Sequence, residues 1–404
     1  MPKVSAKAKS FTESVIREMT RLASEYKAIN LAQGYPDFAC PVELKRAAAD
    51  AVDRDYNQYS VTWGSQELRE AIALKAKKYN KIECDPNKNI VVTCGTTEAM
   101  VASQIALLDP GDELIVLSPH YENYAPDAII SGASPKYFPL NEEMDGGYSI
   151  NEERLKNEFN SKTRGIVINT PMNPVGKVFT NRELRLIADL CNDYDVTCFT
   201  DEIYEYILYD GASHRSIGAM DSMRDRTVTI SGFSKTFSVT GWRVGYTIAS
   251  ARLTEGIKKV HDFLTVGAPH PLQMACVEAL KMPDSYYELL RMEYAKKRNM
   301  LLSSLERIGF RCNKPKGAYY IWCDFSELDN VSDDVRFATN LVKNVGVAAV
   351  PGSSFFNERE LGSKKIRFTF SKKAETLKSA CERLEVLAKE PMRASSHQNS
   401  PALQ

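Results

Sequence analysis

The middle of the chain alternates short apolar runs with segments whose apolar residues recur every three or four positions. The apolar, β-branched runs predict buried strands at 90–93, 113–117, 165–169, 196–200 and 244–249. The segments with helical periodicity predict amphipathic helices at 65–79, 181–194 and 253–264. Because strands alternate with helices, this pattern predicts an α/β fold, in which a mostly parallel sheet is covered by helices on both faces.

The two ends of the chain have a different pattern. Apolar residues from Val15 to Leu22 lie on one face of a helix predicted at 12–25. A long amphipathic helix predicted at 284–308 leads into strands predicted at 317–324, 347–351 and 364–371 and a closing helix at 374–389. We therefore expect a second, smaller domain. The polar segment 391–404 is expected to be a disordered tail.

Composition and charge narrow the class of protein. The 404 residues are 43% hydrophobic and 26% charged, which is typical of a globular protein. Lys plus Arg and Asp plus Glu balance at 52 each, so no overall field favours nucleic acid or an anionic membrane. The nine cysteines form no Cys-x-x-Cys pair and the five histidines no zinc pattern, so we expect no metal site. Without an apolar leader or a long apolar span, we expect a cytoplasmic protein.

One segment carries the clearest chemistry. The apolar run that ends in Ser231-Gly232-Phe-Ser234 is followed by Lys235, and Arg243 comes eight positions later. A lysine amine near an apolar wall and a second cation loses its proton more easily and can form a Schiff base with an aldehyde. Arginine with serine hydroxyls suits a phosphate dianion. A Ser-Lys pair alone is usually a surface loop, but this combination points to pyridoxal phosphate (PLP).

A second segment fits the same ligand. After the predicted strand 90–93, Gly95, Thr96 and Thr97 open a helix, whose free N–H groups bind anions. Simple helix capping is the alternative for this segment alone. Asp201 follows the strand predicted at 196–200, where an α/β sheet commonly binds ligands, although an Asp-Glu pair can also be just a helix start.

The lysine segment, taken with these motifs, resembles the cofactor-lysine signature of class I aminotransferases, which are fold type I PLP enzymes. The kynurenine, glutamine and methionine aminotransferases are the most similar group, and the resemblance covers about residues 10–390. It implies that Lys235 is the catalytic residue and holds PLP as a Schiff base. The cofactor-binding residues implied are Gly95, Thr96, Thr97, Tyr121, Asn173, Asp201, Tyr204, Ser234, Lys235 and Arg243, together with Tyr59 from the partner subunit.

The resemblance also assigns individual contacts. Tyr121 stacks on the pyridine ring, and Asp201 keeps the ring nitrogen protonated, so that the ring withdraws electrons. Asn173 and Tyr204 bind the phenolic oxygen. The substrate-binding residues implied are Gly34, Tyr35, Asn173 and Arg367, with Arg367 gripping the α-carboxylate. An arginine on an apolar strand can instead form a salt bridge within the protein.

A division of the chain into four segments follows from the resemblance. Residues 1–45 are expected to form an N-terminal arm and part of the small domain, and residues 46–283 a large PLP-binding domain with a mostly parallel sheet of the seven-stranded type. Residues 284–390 are expected to form a small α+β domain, followed by the tail at 391–404. It also implies a homodimer with shared active sites. The expected reaction transfers the amino group of an L-amino acid with a methionine-, glutamine- or aromatic-like side chain to a 2-oxo acid.

Several residues depart from the family pattern. His120, Glu122 and Glu13, and the small Val266-Gly267 pair in place of a bulky aromatic, raise a second hypothesis. In that hypothesis the chain is a PLP-dependent lyase or cyclase that acts on a polar or cationic, arginine-like amino acid by β- or γ-elimination, without net transamination. The aminotransferase interpretation is the preferred one of the two.

Overall fold

A seven-stranded sheet organises the middle of the chain. The computed structural model describes residues 2–9, 11, 13–329 and 331–389, so the tail predicted at 391–404 lies outside the described residues. In spatial order the strands are Ile90–Thr93, Gly245–Ile248, Thr227–Gly232, Thr197–Asp201, Thr163–Asn169, Glu113–Ser118 and Ser134–Pro139. Gly245–Ile248 runs antiparallel to both of its neighbours, and the other pairs are parallel. The predicted α/β class with a mostly parallel sheet is confirmed.

Helices cover both faces of this sheet because its strands are apolar on both faces. Val91 packs into one cluster of buried side chains, whereas its neighbours Ile90 and Val92 pack into another. None of the described helices is both long and apolar enough to cross a lipid bilayer. The α-helices are Ala6–Lys9, Val15–Glu25, Val42–Asp53, Gln66–Lys75, Gly95–Leu107, Tyr124–Ser131, Glu152–Glu158, Asn181–Asp193, Ala251–Thr265, His270–Leu280, Asp284–Ile308, Asp334–Asn340, Ala374–Leu384 and Val386–Lys389.

A smaller sheet is built from the last third of the chain. Its strands, in spatial order, are Arg311–Cys312, Tyr320–Asp324, Lys365–Thr369 and Val350–Pro351. Ile29–Asn30 pairs in parallel with Val347–Ala348, which ties the N-terminal segment to this region. That pairing agrees with the prediction that part of residues 1–45 belongs to the small domain. The domain boundaries themselves stay a prediction. A further two-stranded ribbon joins Asn141–Glu142 to Tyr148–Ser149.

Two element predictions need correction. The single strand predicted at 347–351 is two strands, because Val347–Ala348 pairs with Ile29–Asn30 whereas Val350–Pro351 pairs with Lys365–Thr369. The strand predicted to begin at residue 317 begins at Tyr320. Ala318 has a φ of 57°, which strand backbone does not adopt, so the chain turns before it pairs.

Topology brings the ends of five strands to one edge of the seven-stranded sheet. Asn169 lies opposite Asp201, at the carboxyl ends of two parallel strands. Gly245, the first residue of the antiparallel strand, lies opposite both Gly232 and Thr93. The segments that follow or precede these positions therefore meet at the same edge, which is where ligands bind in sheets of this kind.

Candidate active site

A cavity of about 480 Å³ lies at this edge of the sheet. Twelve of the residues singled out in the sequence line it: Gly34, Tyr35, Thr96, Thr97, Tyr121, Asn173, Asp201, Tyr204, Ser234, Lys235, Arg243 and Arg367. They come from positions spread over more than 330 residues of sequence, so the fold and not local sequence brings them together. These twelve residues include three cationic side chains and one carboxylate, that of Asp201, and Arg17 and Glu122 also line the cavity.

Lys235 follows the strand Thr227–Gly232 and projects into the cavity. Its Nζ donates a hydrogen bond of 3.2 Å to the carbonyl of Gly34 and lies about 6 Å from the ring centroids of Tyr204 and Tyr319. Burial lowers the pKa of Lys235 to about 8; Asp201 opposes this change, whereas Arg243 and Arg367 add to it. A substantial fraction of the amine is therefore neutral near pH 8, as a nucleophile requires.

One end of the cavity is suited to an anion. Thr96 and Thr97 lie in the first turn of the helix Gly95–Leu107. Gly95 has a φ of 81°, and a Cβ placed on it would come within 2.5 Å of the Arg243 guanidinium. Glycine is therefore required for Arg243 to lie against the start of this helix. A cation, two hydroxyl groups and free helix N–H groups together suit a phosphate.

Asp201 lies deeper, in a buried and partly apolar setting. Its Oδ2 accepts a hydrogen bond of 2.8 Å from the hydroxyl of Tyr124, and its Oδ1 accepts one from the backbone N–H of Ile203. Burial raises the pKa of Asp201 to about 6, although these hydrogen bonds and the charge of Lys235 lower it. A carboxylate with a raised pKa in such a place is stabilised by a cationic partner.

The wall of the cavity also includes Arg367. Its Nη1 donates a hydrogen bond of 2.8 Å to Asn173 Oδ1, and its Nη2 donates one of 2.5 Å to the carbonyl of Ala32. The guanidinium lies 4.2 Å from the ring centroid of Tyr320. Its Nε is buried and has no hydrogen-bond partner within the described residues. Because no carboxylate of the described residues pairs with Arg367, the salt bridge considered from the sequence does not form.

Comparison with known proteins identifies the family. The sequence model of the family "Aminotransferase class I and II" matches residues 26–384. The chain belongs to this family. It is therefore an aminotransferase, and enzymes of this family use PLP.

The similarity extends over whole chains. A probable N-succinyldiaminopimelate aminotransferase, DapC of Mycobacterium tuberculosis, is 34% identical and covers 96% of this chain and 99% of its own length. Kynurenine–oxoglutarate transaminase 3 of Rattus norvegicus is 35% identical, with coverages of 92% and 87%. The structure of YbdL from Escherichia coli, described as having a methionine aminotransferase function, has a TM-score of 0.91 at 33% identity, covering 96% and 100%. The fold is thus fold type I, as predicted.

The residues present in this aminotransferase fit PLP. Lys235 is a buried amine with a lowered pKa, and the absence of a side chain at Gly95 lets the Arg243 guanidinium lie against the helix start that carries Thr96 and Thr97. Arg367 lines the same cavity without a carboxylate partner among the described residues, as a group that binds the carboxylate of a substrate requires. These are three different observations, and each matches one part of the combined cofactor and substrate.

Two predicted residues of the aminotransferase lie apart from the cavity. Gly95 does not line it and contributes by its lack of a side chain. Tyr59 is 83% exposed and is also absent from the cavity wall of this chain. Tyr35 lines the cavity at its rim, with Lys372 Nζ 4.1 Å from its ring centroid.

Most of the residues behind the arginine-substrate hypothesis face elsewhere. His120 is buried outside the cavity, with Nδ1 3.1 Å from the hydroxyl of Ser118, and burial lowers its pKa to about 4. Glu13 pairs with Arg21 at the surface. Glu122 does line the cavity, but it accepts a hydrogen bond from the hydroxyl of Ser14.

Three of the lining residues that sequence reasoning missed orient other residues of the site. Tyr124 holds Asp201, and Tyr320 covers Gly34 and stacks on Arg367. The side chain of Asn169 accepts the backbone N–H of Asn173 at 2.7 Å and so orients that residue. The position of Asn169 at the end of a predicted strand is a signal that could have found it. The two tyrosines gave no such signal.

A buried cluster beside the site also has possible metal ligands. Glu202, Glu205 and His214 lie close enough to share an ion. However, Lys75 Nζ already lies 2.5 Å from Glu205, and Asn80 donates to both carboxylates. The lysine supplies the positive charge that an ion would bring, so this cluster is explained as a structural network.

Proposed function

We propose that this aminotransferase transfers the amino group of an L-amino acid with a methionine-, glutamine- or aromatic-like side chain to a 2-oxo acid, with Lys235 as the catalytic residue. The observation that carries the proposal is the buried Lys235 amine, which shares one cavity with the turn suited to an anion and with Arg367. When bound, PLP supplies an aldehyde and a ring that withdraws electrons from the α-carbon.

Each group in the cavity then has one proposed task. Thr96, Thr97, Ser234 and Arg243 bind the phosphate, with Gly95 leaving them room. Tyr121 contacts the ring face, Asp201 the ring nitrogen, and Asn173 and Tyr204 the phenolic oxygen. Arg367 and the Gly34 backbone hold the α-carboxylate, with Tyr35 beside them, so that the α-proton faces Lys235. Lys235 accepts that proton and returns it as a general acid.

A neutral side chain is preferred for the substrate. The cavity wall includes Ile16 and the rings of Tyr35 and Tyr121, and its two further charged side chains, Arg17 and Glu122, are of opposite sign. The relatives named above act on different substrates, so the preference rests on this wall. The lyase or cyclase alternative is not favoured, because the family and the relatives named above are aminotransferases.

Steady-state assays with a panel of amino acids test this proposal. With 2-oxoglutarate as acceptor, methionine, glutamine or phenylalanine should give a higher kcat/KM than arginine, and keto acid formation should require the acceptor. Release of ammonia without an acceptor would instead indicate elimination. Turnover of arginine alone would overturn the proposed side-chain preference.

A homodimer is part of the proposal. Tyr59 is 83% exposed, and Phe263, Leu264 and Val61 are further exposed apolar side chains. Their exposure is explained if a second copy covers them, and Tyr59 would then reach the phosphate end of the partner's site. Light scattering after size exclusion should give twice the chain mass of 45.3 kDa. A cytoplasmic location stays a prediction.

Arg367→Gln should lower kcat/KM for amino acids about 100-fold, because two charge-assisted hydrogen bonds to the α-carboxylate are lost. Amines without an α-carboxylate should react at equal rates with the wild type and with Arg367→Gln. Arg298 offers a matched control, since it is also buried but pairs with Asp210 at 2.8 Å. Arg298→Gln should lower thermal stability and leave the discrimination between amino acids and amines intact. An equal loss for both substrate classes would contradict the role of Arg367.

A further inference from the structure

A buried histidine and glutamate lie directly behind the turn proposed to bind phosphate. Nδ1 of His261 lies 2.6 Å from Oε1 of Glu98, and the side chains are 0% and 8% exposed. Glu98 belongs to the first turns of the helix Gly95–Leu107, next to Thr96 and Thr97. His261 lies on the helix Ala251–Thr265, so the pair joins two helices.

The contacts define the charge of this pair. Nε2 of His261 lies 2.8 Å from the carbonyl oxygen of Thr62, which can only accept, so Nε2 carries a proton. Glu98 accepts hydrogen bonds from the backbone N–H of Cys94 and from the hydroxyl of Thr265, and both favour a carboxylate. The remaining proton then lies on Nδ1, and His261 is an imidazolium.

The ionisable surroundings agree with this assignment. Burial disfavours a charged ring, but the hydrogen bond to Glu98, its charge, the Thr62 carbonyl and Asp262 together raise the pKa of His261. Burial likewise acts against the carboxylate of Glu98, but His261, Cys94 and Thr265 outweigh it and lower its pKa. Cys94 and Arg243 are the other titratable groups at this end. The segment that ends at Thr62 contributes a neutral carbonyl.

A bare carboxylate at Glu98 would repel an anion bound at the turn two residues away. Pairing with an imidazolium cancels that charge while keeping the carboxylate that accepts the Cys94 N–H. Nε2 of the same ring donates a hydrogen bond to the carbonyl of Thr62, which lies three residues after Tyr59. His261 thus connects the helix start of its own site to the segment whose tyrosine is proposed to serve the partner's site.

We propose that His261 is a positioning residue for the phosphate end of the cofactor site, acting as an imidazolium that neutralises Glu98 and fixes the Tyr59 segment through Thr62. This inference rests on the proposed assignment of the Gly95–Thr97 turn to the phosphate. It gives the enzyme a contribution to cofactor affinity that exists only while His261 is charged.

His261→Gln should raise the dissociation constant for PLP about tenfold, because the charge of Glu98 is no longer cancelled. Affinity for pyridoxal, which has no phosphate, should change less than twofold. The double variant His261→Gln, Glu98→Gln should recover most of the lost affinity, because the uncompensated carboxylate is gone. His214→Gln is the matched control: His214 is buried against Glu202 at 2.8 Å, and its replacement should leave the ratio of PLP to pyridoxal affinity unchanged.

The pH dependence provides a second measurement. Because the pKa of His261 is raised, the advantage of the wild type over His261→Gln should be full at pH 6 and shrink as the pH rises through that pKa. Ring ¹⁵N spectra of the wild-type holoenzyme, with the signal assigned by the His261→Gln variant among five histidines, should show both nitrogens protonated at pH 6.5. These spectra need only the His261→Gln variant for the assignment, so they decide the charge even if the double variant does not fold.

Equal losses for PLP and pyridoxal, failure of Glu98→Gln to rescue, or a neutral ring at pH 6.5 would each overturn the inference. The proposed function fails in a different way, namely if the wild type is not labelled at Lys235 after PLP and borohydride. In that case the charge of His261 would still be measurable, so the two failures are distinguishable.

Discussion

Replacing Lys235 by alanine should lower the rate of amino-group transfer at least about 10⁴-fold, because one side chain serves both as the attachment point for PLP and as the base for the α-proton. Its buried setting lowers the pKa of the amine to about 8, and no other amine lines the cavity within the described residues. Single-turnover measurement of keto acid formation checks the rate. Borohydride treatment followed by peptide mapping should place a pyridoxyl group on residue 235 of the wild type.

Lys372 is the matched control for this labelling. Burial lowers its pKa to about 8 as well, yet its Nζ donates hydrogen bonds to the carbonyls of Gln33 and Tyr35, and it does not line the cavity. A low pKa alone therefore does not make the attachment point. A pyridoxyl group on Lys372, or more than 1% residual activity in Lys235→Ala, would contradict the assignment of Lys235.

The sequence predicts the site well where a functional residue follows a buried strand. Asp201 is the last residue of its strand and Lys235 comes three residues after the end of another, and strand ends meet at one edge of an α/β sheet. The same rule does not find Tyr124, which opens a helix, or Tyr320, which begins an apolar strand. Nothing local distinguishes these two tyrosines from core residues, because their partners are distant in sequence.

Side-chain direction also limits what the sequence can predict. His120 and Glu122 flank Tyr121, and both suggest a polar pocket when only the sequence is considered. In the fold, Glu122 lines the cavity while His120 points toward Ser118 and packs beside Tyr137. The pairing of Glu98 with His261 likewise has no signal in the sequence, because it depends on how two helices pack. Long-range pairing also divides the single strand predicted at 347–351.

Asp201→Asn should lower kcat about 10³-fold, because the carboxylate no longer keeps the cofactor's ring nitrogen protonated and the developing negative charge loses its electrostatic stabilisation. The same change should make the PLP-free protein more stable. Burial raises the pKa of Asp201 from 3.8 to about 6, so folding favours its protonated form. The stabilisation from that proton is complete below pH 4 and is lost as the pH rises through 6.

Above pH 6 the ionised Asp201 therefore costs the PLP-free fold about 3 kcal/mol, at 1.36 kcal/mol for each pKa unit. Asparagine carries no charge and keeps one oxygen for the Tyr124 hydroxyl, but its NH2 group cannot accept the Ile203 N–H, and that loss offsets part of the gain. The free energy of unfolding in urea should accordingly rise at pH 8 by up to this amount, and the gain should shrink towards pH 5.

Tyr124→Phe is the control, because it removes the hydrogen bond and keeps the charge. It should cost less than tenfold in kcat, and it should destabilise the PLP-free protein at pH 8. If Asp201→Asn were as active as the wild type, or less stable at pH 8, the carboxylate would not be a buried charge held ready for a cationic ring.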